Sequence, residues 1–152
     1  MKALIIYKSV HHGNTEKIAK VMANALEADL LDLKNIRADI IEKYDLIGFG
    51  SGIYYSKPHK KLIKFVEELN NIKNKKAFVF STSGIKKSEF NDLLKNKLSK
   101  KGFEVIGEFN CKGFDTVGPL KLIGGINKGK PNEEDFKNAN IFALDLKEKM
   151  SD

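Results

Sequence analysis

Short apolar runs alternate with amphipathic stretches along almost the whole chain, and this alternation constrains the fold more than any single motif does. Lys2–Tyr7 (KALIIY) is apolar, isoleucine-rich and too short for a helix, as expected of a strand covered on both faces. After Gly13-Asn14 the period changes. Ile18, Val21, Met22, Ala25 and Leu26 recur at spacings of three and four, which predicts an amphipathic helix over Thr15–Leu26. Asp29–Leu33 is then a second strand and Tyr44–Gly50 a third. Pro58 permits a helix start, with Leu62, Phe65, Val66 and Leu69 as its apolar stripe. Lys76–Ser81 is a fourth strand, and Ser88–Lys101 a helix built on Phe90, Leu93, Leu94 and Leu98 and closed by Gly102. Phe103, Val105, Gly107 and Phe109 alternate with Glu104, Ile106, Glu108 and Asn110, which predicts a fifth strand at a sheet edge with one face partly wet. A Gly-rich stretch, Lys112–Lys130, precedes a last helix from about Asn132 to Met150.

Parallel strands need crossovers, and right-handed crossovers place helices on both faces of a sheet. The expected architecture is therefore α/β: a three-layer α/β/α sandwich on a five-stranded parallel sheet of order 2-1-3-4-5. Its ligand crevice should lie at the carboxyl ends of strands 1 and 3, where the winding reverses. At 152 residues, with 41% hydrophobic and 31% charged, the chain suits a single domain over 1–152. Cys111 has no partner for an intrachain disulfide and the N-terminus carries no targeting pattern, so a cytoplasmic setting is expected. No apolar run approaches the roughly 20 residues of a membrane helix, so no membrane partner is expected. One cysteine with His11, His12 and His59 offers no metal-ligand spacing.

The loops after strands 1, 3 and 4 should converge on one rim. Lys8–Thr15 has the makings of an anion cradle: hydroxyls at Ser9 and Thr15, the Asn14 amide, Gly13 and a helix N-terminus behind them. Equally, it is an ordinary turn in which Asn14 or Thr15 caps the helix. GxGxxG is absent, and Leu33-Lys34 stand where a dinucleotide site needs an acid. A GxxxxGK does occur at Gly124–Lys130, but Pro131 follows where a Ser or Thr should hold magnesium, and the motif lies after the fifth strand. After strand 3, small residues at Gly50–Gly52 precede Tyr54 and Tyr55, which are either flat surfaces for an aromatic ligand or caps on the core. After strand 4, Ser81-Thr82-Ser83-Gly84 offers hydroxyls and backbone donors suited to a polar heterocycle, or a simple helix-capping turn. Together the three loops suit a ligand with a terminal phosphate, a polar linker and a planar ring, the anatomy of flavin mononucleotide (FMN).

At this point the chain resembles the flavodoxin-like family, specifically its short flavoprotein branch. The resemblance runs through Tyr7–Ala19 (YKSVHHGNTEKIA), Gly50–Leu62 (GSGIYYSKPHKKL), Ser81–Gly84 (STSG) and Cys111–Phe136. The first of these is close to the family's T-x-T-G-x-T phosphate loop, with His11 and His12 in place of the Thr-Gly start. The resemblance implies non-covalent FMN, its phosphate held by Ser9, His11, His12, Gly13, Asn14 and Thr15. The ring would be held by Ser51, Gly52, Ile53, Tyr54 and Tyr55 and by Thr82, Ser83, Gly84 and Ile85. Gly52 would be the small residue at which a peptide flips toward the ring. From its length, the Lys112–Lys130 stretch is expected to form a partner or substrate surface beside the flavin, with Phe114 near the ring. The implied function is electron carriage between redox partner proteins. The alternative is an FMN-dependent oxidoreductase acting on a quinone, porphyrinogen or other small aromatic. No residue reads as a dedicated acid or base, with Tyr54, His11 and Asp115 as open candidates, and Cys111 is expected to be a small buried hydrophobe rather than a redox thiol.

Charge adds one more expectation. Lys+Arg number 27 against 20 Asp+Glu, a net +7 carried by lysine, since Arg37 is the only arginine. The lysines at Lys57, Lys60, Lys61, Lys64, Lys95, Lys97, Lys100 and Lys101 fall mostly on polar helix faces without a recognition motif or stacking platform, so no nucleic-acid partner is expected. Redox partners with acidic patches are expected instead.

Overall fold

The computed structural model describes residues 1–10, 12–114 and 118–151. In chain order the elements are β1 (Ala3–Lys8), α1 (Asn14–Leu26), β2 (Asp29–Asp32), β3 (Leu46–Tyr54), β4 (Lys57–Pro58), α2 (Lys60–Glu67), β5 (Lys76–Ser83), α3 (Asp92–Lys101), β6 (Glu104–Lys112) and α4 (Glu133–Met150). Short 3₁₀ turns lie at Leu33–Asn35, Ala38–Lys43, Ser88–Asn91 and Gly118–Ile123. The sheet runs β2-β1-β3-β5-β6 with every neighbour parallel, which is the expected 2-1-3-4-5 path. One strand was not expected: β4, two residues long, folds back antiparallel on the end of β3.

Helices cover both faces. α1 and α4 pack on one side, with Ile18, Met22, Leu26, Ala139, Ala143 and Leu146 buried there, and α2 and α3 bury Leu62, Val66, Leu94 and Leu98 on the other. β1 shows why its sequence has no alternation: Ile5 and Tyr7 join the first cluster while Leu4 and Ile6 join the second. Each fully buried aliphatic side chain contributes roughly 1.5–3 kcal/mol relative to exposure.

Two phenylalanines set the composition of β3. Phe78 and Phe80 of β5 pair in register with Gly48 and Gly50, and their rings lie where Cβ atoms on those glycines would project. The glycines are therefore close-packing sites inside a buried strand. In β6 the sequence alternation fails. A register irregularity opposite Ala77 and Phe78 leaves Ile106 outside the pairing, so Phe103 and Val105 pack with α2 and α3, whereas Phe109 and Cys111 pack with α1 and α4. A bulge flips the later half of a strand to the other face.

Helix ends follow local chemistry. Gly102 closes α3 at φ 106, and a Cβ there would also overlap the Ile72 carbonyl. α4 opens with a capping box in which the Asp135 N–H donates to Asn132 Oδ1 (3.1 Å) and the Asn132 N–H to Asp135 Oδ2 (2.9 Å). No described helix is long and apolar enough to cross a membrane.

Candidate functional site

The carboxyl ends of β1, β3, β5 and β6 surround one pocket, at the point where chain order reverses between β1 and β3. Its lining is Val10, Asn14, Thr15, Gly52, Ile53, Tyr54, Thr82, Ser83, Gly84, Gly113 and Phe114, with no charged side chain among them. An apolar groove of about 410 Å³ adjoins it through the shared residues Val10 and Tyr54, and is walled by Tyr55, Pro58, His59 and Ile63.

The β1–α1 loop is built as an open helix start. Gly13 is the N-cap of α1, at φ 64 with no side-chain cap, and His12 before it is also left-handed at φ 56. Asn14 and Thr15, the two candidate caps, reach elsewhere. Asn14 Nδ2 donates to the Phe114 carbonyl (2.9 Å), and Thr15 Oγ1 lies 2.8 Å from Thr82 Oγ1, joining α1 to β5 in a buried hydroxyl pair. Ser9 Oγ accepts from the Glu16 N–H (3.3 Å). The N–H groups of the first turn therefore face the loop with the helix dipole behind them, which favours an anion. Asn14 Oδ1 is buried with no hydrogen-bond partner, so the pocket contains an acceptor that calls for a donor.

β3 and β5 continue past the point where their apolar patterns stop. Ser51, Gly52, Ile53 and Tyr54 are strand residues, as are Thr82 and Ser83, where the sequence predicts loops. Gly52 pairs with Thr82 in the sheet. It lacks a positive φ; the left-handed residues are Tyr55 (φ 53) and Ser56 (φ 66), which turn β3 into β4. The left-handed conformation falls on this two-residue hairpin, in which non-glycine residues occupy a conformation they adopt at a cost. Ser51 is buried and turned away from the pocket: its Oγ donates to the Gly52 carbonyl (2.7 Å) and accepts from the His59 N–H (3.1 Å).

A polar tie organises the far side of the rim. The buried Asn110 donates through Nδ2 to Ser81 Oγ (2.8 Å) and Ser83 Oγ (3.1 Å), and its Oδ1 accepts from the Lys87 N–H (3.1 Å). Asn127 Nδ2 reaches the Gly84 carbonyl (2.7 Å), and the Gly113 N–H donates to the Ser83 carbonyl (3.0 Å). The long stretch after β6 is thereby tied to the end of β5. Phe114 stacks on His12 with ring centroids 4.2 Å apart, which brings that stretch over the β1–α1 loop as well.

Of the residues expected from sequence, Asn14, Thr15, Gly52, Ile53, Tyr54, Thr82, Ser83 and Gly84 line the pocket together. Ser9, His12 and Gly13 shape the loop beside it, Tyr55 lines the adjoining groove and is 98% exposed, and Ile85 is exposed at 62%. His11 and Asp115 lie outside the described residues. Val10 and Gly113 line the pocket without having been anticipated. Gly113 has a readable reason, since a Cβ there would strike the Asn14 amide. Burial raises the Tyr54 hydroxyl's pKa and pushes the Cys111 thiol up to about 12, which leaves Cys111 a protonated member of the core. His59 is shifted down, first by burial and then by Lys8, Lys61 and Lys60. Among the described residues no group of His, Cys, Asp and Glu could hold a metal ion.

A doubly wound parallel sheet with this strand order, 2-1-3-4-5, is that of the flavodoxin-like class of α/β proteins. Residues 4–114 match the model of the flavodoxin domain, well over half of the chain, and the chain belongs to that family. An uncharacterized protein of Methanocaldococcus jannaschii is 57% identical over 148 residues, covering 96% of this chain and 98% of its own. Among solved structures, oxidised Flavodoxin 2 from Bacillus cereus superposes with a TM-score of 0.76 at 22% identity, covering 98% of this chain and 99% of that one. A flavodoxin from the domain Archaea superposes with a TM-score of 0.69 at 18% identity over the whole of both chains. The fold also matches 36% of the rubredoxin oxygen:oxidoreductase of Desulfovibrio gigas, at a TM-score of 0.74 and 17% identity over 99% of this chain.

Proposed function

We propose that the chain is a single-domain FMN-binding electron carrier that exchanges electrons with redox partner proteins. The observation that carries this reading is the meeting, at the switch point, of the start of α1, whose N-cap Gly13 offers no capping side chain, with the hydroxyls of Thr15 and Thr82, beside an apolar groove. The donor set fits the cofactor. First-turn N–H groups and the Ser9 and Thr15 hydroxyls are suited to a phosphate, and among the described residues no acidic side chain lines the pocket to repel it. The orphan Asn14 Oδ1 needs a hydroxyl donor, which the polyol chain of FMN carries. Tyr54, Tyr55 and Val10 give the groove flat apolar walls for a ring, and the backbone of Gly52 and Ser83–Gly84 borders it.

FMN, when bound, supplies the redox chemistry, and the chain sets the conditions under which it operates. The first turn of α1, with Ser9 and Thr15, would hold the phosphate end at fixed backbone and hydroxyl groups. Tyr54 keeps its proton through the neutral range because burial raises its pKa, so it serves as a neutral wall and hydrogen-bond donor. The test is reconstitution with FMN, desalting and an absorption spectrum. Retained flavin bands are expected, and their absence overturns the assignment. Fast multiple turnover of NAD(P)H with menadione by this chain alone would replace the carrier with an enzyme.

A further inference from the structure

Beyond the pocket, a second groove opens between the end of β1, the turn after β2 and α2, and four lysines line it: Lys8, Lys34, Lys61 and Lys64. It adjoins the apolar groove through consecutive residues, because Lys60 borders one and Lys61 the other. Elsewhere on the molecule some lysines are neutralised and others, such as Lys17, Lys73 and Lys137, have no ion pair among the described residues. Lys97 pairs with Glu67, Lys130 with Asp135, Lys147 with Glu27, and Lys95 with both Asp92 and Glu108. On this face Lys8, Lys34, Lys57, Lys60 and Lys61 have no ion pair among the described residues, and Lys64 meets only Glu68, at 4.0 Å. Among the described residues Glu68 is the one acid that lines the groove, and Asp32, at the end of β2, accepts from the Lys34 N–H through Oδ1.

The placement of these charges works against stability. Lys60 and Lys61 are the first two residues of α2, whose first turn holds no acid, so two cations sit at the positive end of a helix dipole. Tyr55, 98% exposed, stands at the tip of a left-handed hairpin against the same groove. An exposed aromatic on apolar walls, ringed by unpaired cations held where they cost stability, has the anatomy of a protein interface with a charged rim.

We propose that this face, with Tyr55 at its centre and Lys57, Lys60 and Lys61 on its rim, docks an acidic protein surface. The proposal rests on the carrier reading for its purpose, since the face borders the pocket assigned to FMN, but it makes a binding claim that needs no flavin. A nucleic acid is less well served: the cations are lysines without an arginine fork, and Tyr55 is one ring rather than a stacking platform.

The test titrates short poly-L-glutamate into the isotopically labelled chain, with and without FMN, and maps amide shifts by NMR. Shifts should concentrate at Tyr55–Lys64, and affinity should fall about tenfold or more from low to physiological salt. The triple variant Lys57→Glu/Lys60→Glu/Lys61→Glu should lose that binding at least tenfold, in the FMN-free chain as well, while holding or raising the melting temperature, because the acids suit the start of α2. Shifts spread evenly over the lysines of α3 and α4, undiminished binding by the variant, or tighter binding of oligothymidylate of equal charge would each overturn the proposal. Loss of FMN retention by the parent chain, with poly-L-glutamate still mapped to this face, would remove the carrier reading and leave the docking face standing.

Discussion

At the scale of single residues, two glycines without side chains do opposite jobs. Gly50 is flat because the Phe80 ring occupies the space a Cβ would take, whereas Gly13 has nothing within 4 Å of that position and is a glycine for its φ of 64 alone. Gly50→Ala should therefore cost about 1–3 kcal/mol through overpacking of a buried ring. Gly13→Ala should cost about 1–2 kcal/mol of backbone strain, and Gly13→Asn less, since asparagine tolerates the left-handed region. Urea denaturation of the three variants separates the mechanisms. An asparagine that costs as much as alanine at Gly13 would mean that packing, not φ, sets that position. Cys111 offers a chemical counterpart: with its thiol buried and pushed up to about 12, native chain at pH 8 should resist iodoacetamide and denatured chain should react. Equal rates in the two states would place the thiol at the surface.

Among the elements, α2 begins on a titratable cap. His59 Nδ1 accepts from the Lys61 N–H (3.0 Å), a role open only to the neutral ring, and burial with Lys8, Lys61 and Lys60 holds its pKa below the ordinary 6.5. A folded pKa below the unfolded one means that the unfolded chain binds the proton first. The stabilising contribution is therefore complete above about pH 6.5 and is lost as pH falls through the folded value. The protection of the Lys61 amide against hydrogen exchange, measured relative to its intrinsic rate, should fall in excess of neighbouring amides as pH drops from 7 to 5. His59→Asn, a cap without a titrating ring, should abolish that excess. Persistence of the excess in the variant would assign it to another group.

The elements also show what the residue pattern could carry. The five parallel strands, the helices and the order around the switch point were legible, because each buries an apolar run or stripe with its own period. The ends of β3 and β5 were not. Ser51, Gly52, Thr82 and Ser83 are strand residues without apolar side chains, held by sheet pairing that no hydrophobic pattern records. β4 escaped notice because two residues have no period, and the bulge at Ile106 because alternation on either side of it looks continuous in sequence. The site shows the same division: Asn14, Thr15 and Thr82 announce polar loops, but the bond that joins Thr15 to Thr82 spans elements, and only the fold brings them together.

For the whole molecule, the net charge of +7 acts unevenly, since many lysines on α3 and α4 are paired and those around the β4–α2 corner are not. The field at the pocket's edge is accordingly positive; His59 there is shifted down first by burial and then by Lys8, Lys61 and Lys60. Electrons arriving at the pocket bring negative charge into that field. Unpaired lysines within a Debye length favour the arrival, and dissolved salt screens them. The midpoint potential of the FMN-loaded chain should therefore be less negative at low ionic strength and move in the negative direction as salt is added. In Lys57→Glu/Lys60→Glu/Lys61→Glu the low-salt value should itself be more negative and the salt dependence flattened or reversed. Spectroelectrochemical titration at low and high salt measures both. A parent chain whose potential is unmoved by salt, or rises with it, would show that these lysines act on partners without reaching the pocket.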